Sequence, residues 1–236
     1  MRQVTGSNST STDKKVSIQL RLDGHSFSRD ILLAEIAEKS VARAGAEADA
    51  KEEDIVEVEL LTAKTIMVPE ECFEPDLAAK LLRMSGIICS NEELPVWSRP
   101  CDGAVAVMAL SRVVAQVLNE SFGACVEYSS PILRQCTVQS QGQEKDKGKI
   151  EGVGTGTGPY LYIYSDGNVA YFKLYEGAKL RLCEVISLTG EDDMLCMVES
   201  IIRECSLAKP TIFVEGTSSD GVIKLLKQYH KVQKCE

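Results

Sequence analysis

Apolar and polar positions alternate with a period of two over residues 15–27 and again over 160–172. Each alternation is interrupted by one Asp-Gly pair, Asp23-Gly24 and Asp166-Gly167. The pattern predicts two β-hairpins, because a type I′ turn requires φ > 0 at both central positions and Asp-Gly adopts that backbone readily. The chain therefore reads as two related halves, each opening with a hairpin.

Behind the first hairpin, residues 30–40 have helical spacing and 41–53, rich in Ala and acids, read as a surface connection. Residues 54–62 and 65–68 alternate as strands up to Pro69, and Pro75 opens a helix that Gly86 stops. Residues 87–102 contain Pro95, Trp97 and Pro100 and read as a loop or extended excursion. The apolar run 104–110 has the length and composition of a strand buried on both faces. Ser111 is placed to cap a helix with Val113, Val114, Val117 and Leu118 inward, ending at Gly123. A strand over 124–128 and a helix from Ser129 or Ser130, with Pro131 in its first turn, complete this half.

The second half is shorter. Its hairpin spans 160–175 and a third strand spans 179–188. Thr189 then N-caps a helix whose inward stripe is Met194, Val198, Ile201 and Cys205. A short strand over 211–215 leads through a turn to a last helix, 221–229, with Val222, Leu225, Leu226 and Tyr229 inward.

Composition narrows the functional classes. A chain of 236 residues has room for two small domains, and its net charge of −9 repels nucleic-acid phosphates and anionic lipid. Its densest basic stretches are 144–149, mixed with acids, and 224–234, which reads as the solvated end of the last helix. No apolar run reaches membrane length and the polar residues 1–13 lack the core of a secretory signal, so a cytoplasmic protein is expected. The nine cysteines are odd in number, contain no C-x-x-C pair and have only two histidines beside them. They read as reduced thiols packed like small apolar residues, without a metal. Residues 139–158 end with Gly152, Gly154, Gly156 and Gly158 and precede a strand. Phosphate-binding glycines precede a helix, so this stretch reads as a flexible linker. The expected division is a flexible N-terminus at 1–13, a first subdomain at 14–138, the linker, and a second subdomain at 159–236.

Three antiparallel strands, a helix, a strand rejoining the sheet and another helix form the ribonuclease-H-like topology, and two copies in tandem resemble the actin-like ATPase architecture. The segments 16–27 (VSIQLRLDGHSF), 65–73 (TIMVPEECF), 77–86 (LAAKLLRMSG), 127–133 (EYSSPIL), 163–172 (IYSDGNVAYF) and 192–199 (DDMLCMVE) look like an uncharacterised bacterial family, domain-of-unknown-function family 3822. The resemblance covers about 14–229, with a poor match over 31–53 and the linker. It implies a mixed α/β, degenerate actin-like fold and no established enzymatic activity.

An actin-like phosphate loop has an Asp, a spacer, a Gly and a hydroxyl residue in each hairpin, so that backbone amides wrap phosphate and the carboxylate holds a hydrated metal. Here Asp23-Gly24 is followed by His25 and Asp166-Gly167 by Asn168, and both turns look too tight for a phosphate. The late strand of the second half offers one glycine, Gly216, where an adenosine site would need a pair. A ribonuclease-type metal site fares no better, with Asp23, Asp166, Glu199 and Glu215 incomplete or misplaced as a carboxylate set. No G-x-S-x-G elbow is present. The expectation is a non-catalytic binding or assembly module with an unidentified protein partner and no cofactor. The alternative is ATP with magnesium in the cleft between the halves, held by Asp23, Gly24, Asp166, Gly167 and Gly216.

Overall fold

A computed structural model describes residues 16–22, 56–123, 126–134, 158–177, 179–217 and 219–235. In the first half these form β1 (Val16–Arg21), β2 (Val56–Leu61), β3 (Thr65–Pro69), α1 (Ala78–Met84), β4 (Glu93–Trp97), β5 (Ala104–Ser111), α2 (Arg112–Phe122) and β6 (Val126–Ser129). Strands β1, β2 and β6 lie side by side in that order, all parallel, with Val16 opposite Val56 and Val56 opposite Val126. Asp23, Gly24, the far arm of the first hairpin and the helix expected at 30–40 lie outside the described residues, as does the linker up to residue 157.

Between β2 and β6 the chain builds a separate antiparallel sheet, β3-β5-β4. Its central strand accounts for the uninterrupted apolar run. Val105, Val107 and Ala109 face Ala78 and Leu82 of α1, while Ala106, Met108 and Leu110 face the main core. The segment 87–102, read as a loop or extended excursion, contains the edge strand β4. An edge position tolerates Pro95, which hides the strand from propensity rules. The type I′ Asp-Gly turn also appears here. Asp102 (φ 51) and Gly103 (φ 73) stand between Cys101 and Ala104, which exchange both backbone hydrogen bonds at 2.8 and 3.0 Å.

Other boundaries shift for local reasons. In α2, Val114, Val117 and Leu118 are buried, but Val113 lies one residue, about 100°, off that stripe and is 47% exposed. Gly123 (φ 63) ends the helix as expected. Ser129 belongs to β6, and the helix expected from there is, within the described residues, a three-residue 3₁₀ turn, Pro131–Leu133, with the Ser130 side chain accepting from the Ile132 N–H.

The second half is β7 (Pro159–Asp166), β8 (Val169–Glu176), β9 (Lys179–Ser187), α3 (Glu191–Glu204), β10 (Thr211–Glu215), α4 (Ser219–Leu226) and β11 (Val232–Lys234). The sheet order is β11-β10-β7-β8-β9, antiparallel through β7, β8 and β9 and parallel through β7, β10 and β11. The hairpin is present, but its turn is one residue off the sequence reading. Asp166 pairs with Val169, so Gly167 and Asn168 form the loop, and only Gly167 (φ 59) is left-handed. Gly in the first loop position is the type II′ arrangement.

Gly190, rather than Thr189, is the N-cap of α3. Thr189 instead donates its N–H and hydroxyl to Asp193 at 2.7 and 2.6 Å, and these bonds hold the Asp193 carboxyl below its ordinary range. Met194, Val198 and Ile201 are buried as expected, and Cys205 is half-buried. Helix α4 ends at Leu226, so Tyr229 points outward, 61% exposed. The basic tail then becomes β11 instead of continuing the helix.

Candidate functional site

Strands β7 and β8 carry two different faces. Leu161, Ile163, Ala170, Phe172 and Leu174 point to the helices α3 and α4. Tyr160, Tyr162, Tyr164 and Tyr171 point the other way and share one core with Ile18, Leu20, Val58, Leu60 and Met108 of the first half. A tyrosine contributes a large apolar body and a hydroxyl that needs a partner. The partners form a polar seam between the halves.

Arg134, the residue after the Pro131–Leu133 turn, is its centre. The guanidinium donates from Nε and Nη2 to the two carboxylate oxygens of Glu59 on β2 (2.7 and 2.6 Å) and from Nη1 to Glu215 at the end of β10 (2.9 Å). Its flat face lies 4.4 Å from the centre of the Tyr164 ring. Burial pulls the Arg134 pKa down, and the Glu59 hydrogen bonds with the charges of Glu59 and Glu215 more than offset it, holding the group above its ordinary value. Tyr162 donates to Glu215 (2.7 Å), and Gln19 of β1 donates to both Glu59 (3.0 Å) and the Tyr164 hydroxyl (2.8 Å). On β8, Lys173 donates to the Arg134 carbonyl, and Tyr171 accepts from the Thr62 N–H at 2.9 Å. Burial raises the Tyr164 and Tyr171 hydroxyls above the usual phenol range and pushes the Cys183 thiol, opposite Lys173 on β9, up to about 12.

Three of the five candidates named from sequence lie at one end of this seam. The Asp166 side chain is completely buried; it pairs with Arg21 of β1, accepts from the Thr217 hydroxyl at 2.7 Å and from the Tyr164 hydroxyl at 3.4 Å. Gly167 sits in the adjacent turn. Gly216 (φ 112) follows β10, and a Cβ there would run into the Ser165 carbonyl oxygen and stand 2.8 Å from its carbon. Asp166 and Gly216 are therefore brought together, but with protein atoms filling the space. A hydrated metal needs an open carboxylate face and a phosphate needs a ring of free amides. Among the described candidates, the Asp166 carboxylate presents no open face. No group of three or more potential metal ligands occurs among the described residues.

Sequence reasoning missed Gln19, Arg21, Glu59, Arg134 and the tyrosine hydroxyls. The signal for part of this was present, since the even positions 160, 162 and 164 of β7 are all tyrosine while 161 and 163 are aliphatic.

No protein-family model and no curated protein matches the sequence. Among solved structures, one of unknown function from Bacteroides thetaiotaomicron, described as having an actin-like ATPase fold, superposes with a TM-score of 0.63 at 14% identity over 97% of this chain and 94% of that one. This chain shares the actin-like ATPase fold. A PilM-PilN type IV pilus biogenesis complex aligns at TM-score 0.44 and 14% identity over 87% of this chain and 74% of that one. The cytoplasmic domain of EpsL from the Vibrio cholerae type II secretion system aligns at 0.42 and 9% identity over 94% and 90%. Both overlaps are too loose to inform function. No helix among the described residues is long and apolar enough to cross a membrane.

Proposed function

We propose that the chain is a non-catalytic binding or assembly module that uses the actin-like fold as a scaffold. The observation that carries this reading is the state of Asp166: its carboxylate faces Arg21 and Thr217 with no exposure to solvent, and Gly216 is pressed against the neighbouring Ser165 backbone. Of the residues that would hold a metal and nucleotide in the ATP reading, Asp166 is engaged with Arg21 of the first half and Gly216 is packed within the second half. The domain division at residues 139–158, tandem ribonuclease-H-like halves and membership of domain-of-unknown-function family 3822 belong to the same proposal. The strand order β9-β8-β7-β10-β11, and a parallel trio in each half (β1-β2-β6 and β7-β10-β11), support the tandem reading.

The test is thermal unfolding of the full chain with and without millimolar magnesium ATP. The expected outcome is an unchanged Tm. A ligand at about 100 times its Kd adds roughly 2.7 kcal/mol, so a reproducible rise of several degrees would give the site to ATP and overturn the proposal.

A further inference from the structure

We propose that the outer face of α1 pairs with the same face of a second copy of this chain, the two helices antiparallel about a two-fold axis. The inference goes beyond the proposed function and does not depend on whether nucleotide binds. Helix α1 is apolar on two sides, and the chain covers only one of them. Ala78 and Leu82 are buried against Val105, Val107 and Ala109 of β5. Leu77, which leads into the helix, is 36% exposed and Met84 is 74% exposed, with Leu81 half-buried between them. At about 100° per residue these three lie within about 60° of one another, on a different side from Ala78 and Leu82. Ile88, just past the Gly86 turn, is a further exposed apolar side chain of the same segment, at 75%.

The charges beside the stripe say what covers it. Asp76, Lys80 and Arg83 are spaced i, i+4 and i+7, so they run together along the flank of the stripe that lies away from Ala78 and Leu82. All three are exposed, and among the described residues none of the three forms an ion pair. The acid stands at the N-terminal end of this flank and Arg83 at its C-terminal end. Laying the helix antiparallel on its own copy sets flank against flank in reversed order, so Asp76 of each copy meets Arg83 of the other, twice per dimer. Lys80, nearest the axis, faces its own counterpart, and its long stem lets the ammonium reach water. The flank is therefore complementary to itself. Two turns of helix bury less than the roughly 1,200 Å² of a standard stable interface, so the dimer is a weak one.

The experiment is sedimentation velocity on the full chain from about 1 to 500 µM in about 0.15 M salt, where a Debye length of about 8 Å screens the net charge of −9 but not pairs in contact. The expected result is a reversible monomer–dimer equilibrium with a Kd on the order of 100 µM. Asp76→Arg and Arg83→Asp should each weaken it about tenfold or more, since each sets like charges against each other twice. An equimolar mixture of the two variants should recover the parental association, because both cross-pairs are then opposite in sign. Mixing cannot rescue a misfolded chain, so recovery separates a lost contact from a folding defect. Met84→Lys should also weaken the dimer about tenfold, while at so exposed a position the Tm stays unchanged. The proposal is overturned if the full chain stays monomeric across that range, if it associates with a Kd indifferent to either charge reversal, or if the mixture associates no better than each variant alone.

Discussion

The two faces of the β7-β8 hairpin are both buried, by different means. Toward α3 and α4 the face is aliphatic and aromatic hydrocarbon, with one exception, the Ser165 hydroxyl, buried without a hydrogen-bond partner. Toward the first half, the face is rich in tyrosine, each ring apolar, with the Tyr162 hydroxyl on Glu215 and the Tyr164 hydroxyl accepting from Gln19 in the network around Arg134, Glu59 and Glu215. Helices folded from the same half can be packed with plain hydrocarbon. A surface meeting a second body resembles an interface, where Tyr and Arg are enriched and polar tips set register. The difference teaches that the face turned toward β1, β2 and β5 is built like an interface, although it belongs to one continuous core cluster with them.

Substitutions on the two faces should separate by size. On the helix side, Phe172→Ala leaves a cavity in a fully buried site and should cost about 3–5 kcal/mol in urea unfolding, with no change in how the halves associate. A cost under about 1 kcal/mol would mean that this face can collapse and is not the firmer of the two.

On the seam side, Arg134→Met leaves Glu59 and Glu215 facing each other without their shared cation. About a third of the Arg134 side chain is exposed, so water relieves part of the penalty. The expected cost is about 2–3 kcal/mol, below that of breaking a fully buried pair. Adding Glu59→Gln should recover part of the loss, since it removes one of the stranded charges; additive losses would show that the two residues are not coupled.

The smallest effect is a dependence on alkali. The Tyr164, Tyr171 and Cys183 side chains, all on the seam side, have raised pKa values, from ordinary values of 10, 10 and 9. The unfolded chain releases these protons first, so their contribution is intact below pH 9 and is lost as pH climbs from about 9 toward the folded values. Together they should lower stability by roughly 1–2 kcal/mol between pH 8 and 10. Urea midpoints across that range check it, and a flat profile would mean that the phenols and the thiol are in contact with water.

Much of the fold was legible in residues that obey local rules. Alternation gave β2, β3 and both arms of the β7-β8 hairpin, Pro75 and Gly86 bracketed the helical segment containing α1, and the apolar run revealed β5. The failures have local causes as well. Pro95 concealed an edge strand, the three residues of β11 are too few to show a period, and Asp166 was assigned to a turn because Asp-Gly is a turn signal, whereas its side chain is held across the seam by Arg21. The site was mostly illegible because its members are ordinary polar residues of different segments, such as Gln19 and Tyr164 or Arg134 and Glu215, joined only when the halves meet.

Arg134 grips the second half twice, through its carbonyl to Lys173 of β8 and through its guanidinium to Glu215 of β10. A side-chain substitution there releases only the second grip. The main-chain anchor stays whatever the side chain, so the seam would keep its register when the charge network is lost.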